Sequence, residues 1–290
     1  MSITVLSLHS YPVKSCAGLS HDTINLTQAG LAFDREWVLV DWQGVFMTQR
    51  QYPRMALIQP TLAASLLSLN APGMPALSIA SPPDSPATPP VSVRIWGSDT
   101  LGRDEGDTAA QWLSQFMGTP CRLLRVHPHA KRNASPEHVN AWRHKHHDTE
   151  PAFPAQHTFG FADGFPFLIA NQGSLDELNR QLIAKGESAV PMNRFRPNIV
   201  LQGLDAYEED YLTSLGIGGL TFALVKRCAR CPIPNIDQAT ALSAPEPGLT
   251  LAAHRQFPEG VLFGVNAVVS GTTASSCIST GDTVEPAYDF

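Results

Sequence analysis

Long apolar runs, an excess of basic residues and a regular cysteine framework are all missing from this sequence of 290 residues. No apolar stretch approaches the roughly 18 residues that a membrane-spanning helix needs, so we expect no membrane as a partner. The formal net charge of −6 also disfavours nucleic acid and anionic membrane surfaces as general partners, because binding them requires many clustered cations. An anionic ligand would therefore need a local cluster of Lys and Arg.

Cysteine is scarce and its number is odd. Cys16, Cys121 and Cys277 stand alone, and only Cys228 and Cys231 are close in sequence. This pattern does not fit a disulfide framework, so a reducing compartment is the simpler assumption. The segment 1–8 alternates apolar and polar residues and has no basic region, which argues against a signal peptide. We therefore expect a cytoplasmic protein.

What the sequence does contain is typical of a globular fold, with 43% hydrophobic and 16% charged residues. Short alternating stretches such as 3–8 and 91–96 predict strands, and Gly and Pro between strands favour a small barrel over a parallel sheet. Asp107 is a candidate N-cap for a helix ending at Gly118, with Ala109, Trp112, Leu113 and Phe116 on one stripe. The predicted fold class is α+β, mostly β, with one part at 1–126 and another at 127–290, joined near 127–135.

Further elements follow from local patterns. A proline-rich loop is predicted at 71–90, with one short strand near 76–79. Ser174 and Glu177 form a possible capping box that opens a helix to about Lys185, with Leu175, Leu178 and Leu182 facing inward. The remaining predicted strands lie at 36–41 and 45–48 (a hairpin), 55–60, 121–126, 165–170, 198–202, 216–225 and 261–270. The leucines of 62–69 suit either a strand or a short helix.

The stretch 226–234 concentrates reactive chemistry, because Cys228 and Cys231 are three residues apart among Lys226, Arg227 and Arg230. A zinc site would need a second pair of ligands. A thioredoxin-type dithiol normally opens a helix, which Pro232 and Pro234 oppose. An activated thiolate, which nearby cations favour, is the remaining functional interpretation. From this stretch alone, a cysteine pair without any role stays equally open.

Candidate anion-binding residues lie near the N-terminus. Lys14 and Ser15 follow Tyr11-Pro12 on a predicted loop, where both side chains could reach one anion. Arg35 stands at one foot of the predicted hairpin and Arg50 at the other, so two guanidiniums could clamp a planar anion. An internal salt bridge of Arg35 or Arg50 with Asp34 or Glu36 is equally compatible with the sequence.

Histidine is concentrated between 127 and 157, in a segment without apolar rhythm. Because no Cys or carboxylate recurs there at ligand spacing, a metal site is a weak interpretation. A mobile, solvated lid or linker is the prediction that we favour.

Taken in order, the motifs of the chain resemble those of one protein family. The matching segments are Tyr11-Pro-Val-Lys-Ser15, Phe33-Asp-Arg35, Thr48-Gln-Arg50, Phe161-Ala-Asp-Gly164, Arg194-Phe-Arg-Pro-Asn198 and Cys228-Ala-Arg-Cys231. They are similar to the motifs of MOSC-domain proteins that carry an N-terminal MOSC β-barrel, such as the mitochondrial amidoxime-reducing components and bacterial YcbX-type proteins. The resemblance implies a β-barrel-like MOSC N-terminal domain followed by a β-barrel MOSC domain with a few helices.

The resemblance also implies a molybdenum cofactor, a pterin with a metal-binding dithiolene at one end and a phosphate at the other. It makes Cys231 the catalytic metal ligand and gives Cys228 a supporting role. Lys14, Arg35 and Arg196 would meet the phosphate, while Gly164, Phe165 and Asn198 would meet the pterin. The cofactor contacts implied in full are Lys14, Ser15, Arg35, Thr48, Arg50, Asp163, Gly164, Phe165, Arg196, Asn198, Ala229 and Arg230.

Some positions depart from the family pattern. Ala229 stands where Ser is common, and Pro234-Asn235 stand where Thr-Thr is common. Gly164 and Phe165 match the bacterial branch more closely than the amidoxime-reducing branch. Cofactor binding is still expected from the resemblance, whereas the substrate range is open.

Two functions follow from the resemblance. One is a reductase that removes oxygen from small N-hydroxylated compounds such as amidoximes, hydroxamic acids and N-hydroxylated bases. The other is a sulfur carrier that handles the cofactor through a persulfide on Cys231. A reductase would need a separate flavin or iron–sulfur protein as electron donor. The sequence has neither a plant-type iron–sulfur cysteine run nor a dinucleotide-binding glycine motif.

Overall fold

Strands are the main regular secondary structure of this protein. The computed structural model describes residues 2–63, 66–80 and 89–288, and this part contains nineteen strands and four α-helices. The predicted α+β, mostly β class is confirmed. None of the helices in the described ranges is long and apolar enough to cross a membrane.

The first part of the chain is built from short strands and one helix. A 3₁₀ turn at Pro53–Leu57 and the helix α1 (Asp107–Met117) interrupt the strands. The strands are β1 (Thr4–Ser10), β2 (Leu19–His21), β3 (Thr23–Thr27), β4 (Gly30–Leu31), β5 (Trp37–Val40), β6 (Gln59–Ala63), β7 (Leu66–Asn70), β8 (Leu77–Ala80), β9 (Val91–Ile95), β10 (Ser98–Asp104) and β11 (Arg122–Val126).

The second part carries longer strands and three helices. The helices are α2 (Pro136–Lys145), α3 (Gln172–Ala184) and α4 (Gly248–Arg255), with 3₁₀ turns at Met192–Arg194, Glu208–Tyr211 and Ile233–Asn235. The strands are β12 (Phe167–Asn171), β13 (Ile199–Gln202), β14 (Leu212–Ile217), β15 (Leu220–Ala229), β16 (Gln256–Phe257), β17 (Gly260–Ser270), β18 (Cys277–Ser279) and β19 (Glu285–Tyr288).

One large sheet joins the two ends of the chain. Its strand order is β19-β14-β15-β17-β12-β13-β1-β2, with β16 paired to β17, so N-terminal strands extend a sheet made by the second part. A smaller sheet, β18-β3-β4, also pairs strands from both ends. The remaining strands form the sheets β5-β11-β10-β9 and β6-β7-β8, around a core that includes Trp37, Leu69, Leu113 and Phe116. The boundary at 126 stays a prediction.

Several local predictions for the first part are confirmed. The helix α1 ends at Gly118, whose φ of 70° is left-handed, and the predicted apolar stripe is buried. Asp107 is the first helical residue instead of the N-cap, which is Gly106. The strand β8 matches the short strand predicted near 76–79. Residues 81–88 of the predicted proline-rich loop lie outside the described residues.

One prediction for this part needs correction, and one open alternative between strand and helix is decided. The strand predicted at 55–60 is wrong for its first half, which forms the 3₁₀ turn at Pro53–Leu57. Proline suits that turn because its fixed φ and missing N–H cost nothing at a helical N-terminus. The leucines of 62–69 lie on the paired strands β6 and β7, so the described residues of this stretch form strands and not a helix.

In the second part, the single strand predicted at 216–225 is wrong. Gly218 and Gly219 both have positive φ and form the turn between β14 and β15. The capping box is also wrong, because α3 begins at Gln172 and the side chain of Asn171 accepts the N–H of Gly173. The inward leucines of α3 are buried as predicted.

The histidine-rich segment is partly packed and not wholly solvated as predicted, whereas its role as a linker stays a prediction. It contains α2, whose Val139 and Trp142 are buried in a cluster with Phe153 and Phe159. The apolar residues are too irregularly spaced along 127–157 to show this packing in the sequence. Within the described residues, no group of three or more His, Cys, Asp or Glu is arranged to hold a metal ion.

A buried carboxyl group lies where α3 meets the 3₁₀ turn at Glu208–Tyr211. Glu209 is 1% exposed, and its oxygens accept hydrogen bonds from the Ser174 hydroxyl at 2.7 and 2.8 Å and from the Asn171 amide at 3.2 Å. Burial raises the pKa of Glu209 to about 7, although these hydrogen bonds act in the opposite direction and the neighbouring Asp210 adds to the increase. Ionising Glu209 in the folded protein is therefore costly.

We expect the free energy of unfolding to fall as the pH rises from 4.5 to about 7, because the folded state holds the Glu209 proton more tightly than the unfolded state. The contribution of the Glu209 proton to the free energy of unfolding is largest below pH 4.5. Its loss lowers this free energy by on the order of 3 kcal/mol. The Glu209→Gln variant should lose this dependence and be more stable than wild type at pH 8. Urea unfolding of both proteins between pH 4 and 8 measures it, and parallel profiles would contradict the expectation.

Candidate functional site

One pocket collects most of the polar motif residues of the chain. It lies where five segments meet. These are the loop after β1, the turn before β5, the loop before β12, the segment before β13 and the end of β15. Its lining residues are Lys14, Ser15, Arg35, Ala162, Asp163, Gly164, Phe165, Phe167, Leu168, Phe195, Arg196, Asn198, Cys228, Arg230, Cys231, Ile233 and Asn266.

The large sheet forms one wall of this pocket. Leu168 on β12 lies opposite Asn266 on β17, and both line the pocket. Their neighbours Ile169 and Val265 are also paired and are buried in the core on the other face. Side chains alternate between the faces of a strand, so one face of the sheet supports the core while the other carries the site.

Three pocket residues have left-handed backbone without being glycine. The φ angles are 66° at Ser15, 47° at Arg35 and 56° at Arg196. Such conformations cost on the order of 1 kcal/mol or more and persist only where the surrounding structure holds them. Here the backbone N–H of Arg35 donates to the Tyr11 carbonyl at 2.9 Å, and the Arg35 side chain donates to the Arg196 carbonyl at 3.2 Å. Part of the backbone strain of the described chain therefore lies at the pocket.

Lys14 and Asp163 form an ion pair across the pocket. The Lys14 ammonium is 2.5 Å from Asp163 Oδ1, which also accepts the indole N–H of Trp96 at 2.9 Å. Desolvation acts to raise the pKa of Asp163, but the charge and hydrogen bond of Lys14 hold it well below its usual range. Burial lowers the pKa of Lys14, and Asp163 partly opposes this decrease. Asp163 is therefore a carboxylate and not a proton donor.

Arg35 is held by both protein parts. Its guanidinium pairs with Asp34 at 2.6 Å and donates to Asn198 Oδ1 at 3.0 Å. The internal salt bridge considered from the sequence is therefore present, although Arg35 still lines the pocket. The Asn198 amide also accepts the N–H of Leu168 at 3.1 Å and donates to the His9 carbonyl at 3.2 Å. Asn198 thus joins β1, β12 and Arg35, and its contact with a cofactor stays a prediction.

Arg196 is a buried cation without a carboxylate partner in the part of the chain that the structure describes. It is 8% exposed, lies 4.2 Å from the centroid of the Tyr11 ring and is 3.4 Å from Gln238 Oε1. Burial lowers the pKa of Arg196 to about 10, and the nearby Arg35 contributes to this decrease. A buried positive charge of this kind favours an anionic ligand.

Two thiols from a later part of the chain also line the pocket. Cys228 is at the end of β15 and Cys231 follows it, and all five cysteines of the described chain are free. The Arg230 guanidinium is 3.1 Å from Cys228 Sγ and donates to the Phe195 carbonyl at 2.8 Å. The cation expected to favour a thiolate therefore contacts Cys228, although the resemblance assigns the metal to Cys231.

Three of the predicted contact residues do not line the pocket. Thr48 is buried in a turn where its hydroxyl accepts the N–H of Arg50 at 3.2 Å. The Arg50 guanidinium lies 4.0 Å from the centroid of the Trp96 ring, and its convergence with Arg35 on one anion stays a prediction. Ala229 is exposed at the end of β15. The remaining ten predicted residues, Lys14, Ser15, Arg35, Asp163, Gly164, Phe165, Arg196, Asn198, Arg230 and Cys231, all line the pocket.

Arg194 does not join Arg196 at the pocket, although an extended segment would place the two side chains on one face. The 3₁₀ turn at Met192–Arg194 and the left-handed Arg196 separate the two side chains. Arg194 instead pairs with Asp237 at 2.7 Å and donates to the Pro234 carbonyl at 3.2 Å.

A pair of glutamines behind the pocket was missed. Gln49 and Gln238 exchange two amide hydrogen bonds at 3.0 and 3.1 Å, although 189 residues separate them. Gln49 is fully buried and also donates to the Ser15 carbonyl at 2.8 Å, while Gln238 approaches Arg196. Gln49 lies within the motif Thr48-Gln-Arg50, but no local pattern marks Gln238, because the pair exists only once the chain is folded.

Comparison with known proteins agrees with this arrangement. The family model described as MOSC N-terminal beta barrel domain matches residues 2–120, and the MOSC domain model matches residues 156–285. The chain is 35% identical over 259 residues to mouse mitochondrial amidoxime-reducing component 1, covering 87% of this chain and 71% of the relative. The chain belongs to the MOSC-domain family.

Other members of the MOSC-domain family differ in name and length. Human mitochondrial amidoxime-reducing component 1 is 34% identical over 260 residues, which cover 87% of this chain and 72% of the human protein. Human molybdenum cofactor sulfurase is 32% identical over 246 residues, which cover 81% of this chain but only 27% of that protein. The match to the sulfurase therefore concerns a part of a much longer chain.

Proposed function

We propose that this MOSC-domain protein is a molybdenum cofactor-dependent reductase of small N-hydroxylated compounds. The observation that carries the proposal is the pocket itself, in which buried or half-buried cations and two thiols face one space. A phosphate needs cations, and a metal held by a dithiolene accepts a soft thiolate donor. The residues present therefore fit a ligand that is anionic at one end and metallic at the other.

Each side of the pocket would have its own task. Arg196 and Arg35 would hold the phosphate, and Lys14 would contribute from its pair with Asp163. Cys231 would donate its thiolate to the metal, while Arg230 holds Cys228 nearby. When bound, the cofactor supplies two-electron chemistry that removes the oxygen of an N–OH group as water, with uptake of two protons. The protein binds and orients both reactants.

A second candidate is a sulfur-carrier function. It is favoured by the contact of Arg230 with Cys228 Sγ, which places a cation beside a second pocket thiol. It is also compatible with the similarity to molybdenum cofactor sulfurases. Metal content separates the two candidates, because a reductase retains molybdenum near one atom per chain and a carrier does not.

Electron supply provides a sharp test of the reductase. The protein purified from a host that makes the cofactor should contain molybdenum and pterin, and should reduce benzamidoxime with a reduced viologen dye. It should not do so with NADH alone, because the sequence shows no dinucleotide or iron–sulfur motif. A separate flavin or iron–sulfur protein would supply electrons in the cell.

Two outcomes would contradict this scheme, each at a different point. Protein that contains neither molybdenum nor pterin but accepts a persulfide from a cysteine desulfurase would support the carrier function instead. Steady turnover with NADH and no added protein would show an electron entry within this chain. Protein repurified from a cofactor-deficient host is the control for both measurements.

A further inference from the structure

Arg196 is anchored differently from two other buried arginines, Arg125 and Arg255. Arg255 pairs with Asp210, and Arg125 pairs with Glu36 at 2.5 Å, so carboxylates neutralise these two cations. The side chain of Arg196 is instead held by neutral groups, the Tyr11 ring and the Gln238 amide. Its charge therefore remains available to a ligand in the pocket.

Tyr11 contacts two of the three arginines that line the pocket. The guanidinium of Arg35 lies 4.3 Å from the centroid of its ring and that of Arg196 lies 4.2 Å from it. The ring is buried, and its hydroxyl donates to the Pro197 carbonyl at 3.1 Å. Burial also raises the pKa of Tyr11 to about 12, so the ring stays neutral at physiological pH.

Nearby residues of the chain, among them Gly18, restrict the position of the Tyr11 ring. A Cβ added at Gly18 would lie 2.5 Å from Tyr11 Cε1 and 2.8 Å from Cδ1, so only glycine leaves room for the ring. The Tyr11 N–H donates to Asp34 Oδ1 at 2.8 Å, which fixes the backbone beside Arg35. Ring, hydroxyl and backbone are thus all fixed.

An aromatic ring suits two neighbouring cations for a physical reason. The negative face of the ring attracts a guanidinium, but it does not cancel the charge as a carboxylate does. The half-buried Arg35, which is paired with Asp34, and the buried Arg196 repel each other, and this repulsion decreases when an anion binds between them. A neutral support therefore holds the cations in place and leaves them able to bind an anion.

We propose that Tyr11 is the positioning residue of the anion site, holding Arg35 and Arg196 for the phosphate of the bound ligand. The proposal rests on the proposed function for the identity of that ligand. The binding of a phosphate group itself depends only on the cations of the pocket.

The test compares Tyr11→Phe with Tyr11→Leu. Phe keeps the ring face and removes only the hydroxyl, whereas Leu removes the ring. We expect Tyr11→Leu to release pterin and molybdenum about tenfold faster than wild type, and Tyr11→Phe to retain most of both. Phe116→Leu is the matched control, because Phe116 is an equally buried ring with Arg54 4.4 Å from its centroid and does not line the pocket.

A second variant keeps the proposal testable if Tyr11→Leu does not fold. Gly18→Ala displaces the ring without removing it and should also release the cofactor faster. Equal retention in wild type, Tyr11→Leu and Gly18→Ala would overturn the proposal. An equal loss in Phe116→Leu would also overturn it, because the effect would then follow stability alone.

Calorimetric titration of the cofactor-free proteins with inorganic phosphate separates this proposal from the proposed function. If wild type holds no molybdenum but binds phosphate about tenfold more tightly than Tyr11→Leu, the reductase function fails and the role of Tyr11 stands. If wild type holds molybdenum and the Tyr11 variants match it in both assays, only the role of Tyr11 fails. If wild type binds neither molybdenum nor phosphate, both are wrong.

Discussion

Cys231→Ser is expected to abolish the reduction of N-hydroxylated substrates and to leave the protein folded. A serine hydroxyl is a hard, weakly acidic donor that cannot replace a thiolate at a metal held by soft sulfur ligands. Since removal of even an outer-shell partner of a metal costs about 10–100-fold, loss of the direct ligand should reduce activity to about a hundredth or less. Turnover of benzamidoxime with reduced viologen, together with the thermal unfolding midpoint, measures both parts.

Cys228→Ser is the matched variant, because it changes the other thiol of the same pocket. Arg230 contacts Cys228 Sγ at 3.1 Å, so this residue is held by the protein, and serine preserves an acceptor for the guanidinium. We expect a far smaller loss than in Cys231→Ser. If Cys228→Ser were inactive and Cys231→Ser active, the assignment of the metal ligand would be reversed, and the contact with Arg230 would mark the ligand.

The local part of the fold is the part that sequence reasoning predicts well. The stripe formed by Ala109, Trp112, Leu113 and Phe116 and the left-handed Gly118 lie within one helix, so their pattern is visible along the chain. In 127–157 the two buried residues of α2, Val139 and Trp142, have no such repeat and pack against Phe153 and Phe159. Tertiary contacts decide the structure of that segment.

The difference between local pattern and tertiary contact also applies to the site residues. Motif resemblance pointed to Lys14, Arg35, Arg196 and Cys231, which come from distant segments and line one pocket. It also pointed to Arg50, which stacks on the ring of Trp96 and does not line the pocket. The stacking partner lies on another hairpin, and no spacing within 48–50 reveals it. A motif thus indicates which segments meet, whereas the contacts of each side chain depend on the fold.

The residues that support the site were the hardest to predict. Gln49 lies inside a recognised motif, but its partner Gln238 is 189 residues away and both side chains are uncharged. Tyr11 also lies in a motif, and its contact with two arginines appears only in three dimensions. Left-handed backbone at Ser15 and Arg196 is equally invisible, because neither residue type favours it. Such features depend on the packing of both parts of the chain.

Arg196→Ala should produce the largest loss of cofactor among the cation variants. Arg196 is buried and has only neutral partners, so its charge is available to a phosphate. A charge-assisted contact contributes about 1.5–3 kcal/mol, which corresponds to roughly 10–150-fold weaker binding when it is removed. Arg35→Ala should also lower occupancy, but less, because part of its charge is neutralised by Asp34 at 2.6 Å. Molybdenum and pterin per chain measure both effects.

Arg194→Ala provides the control for this experiment. Arg194 is two positions from Arg196 and equally able to carry charge, but it pairs with Asp237 and does not line the pocket. We expect Arg194→Ala to keep wild-type molybdenum content even if the lost ion pair lowers its thermal midpoint. Full occupancy in Arg196→Ala would remove that residue from the site, and equal losses in the two variants would show that occupancy follows stability. Only a selective loss in Arg196→Ala identifies a buried cation that binds the ligand.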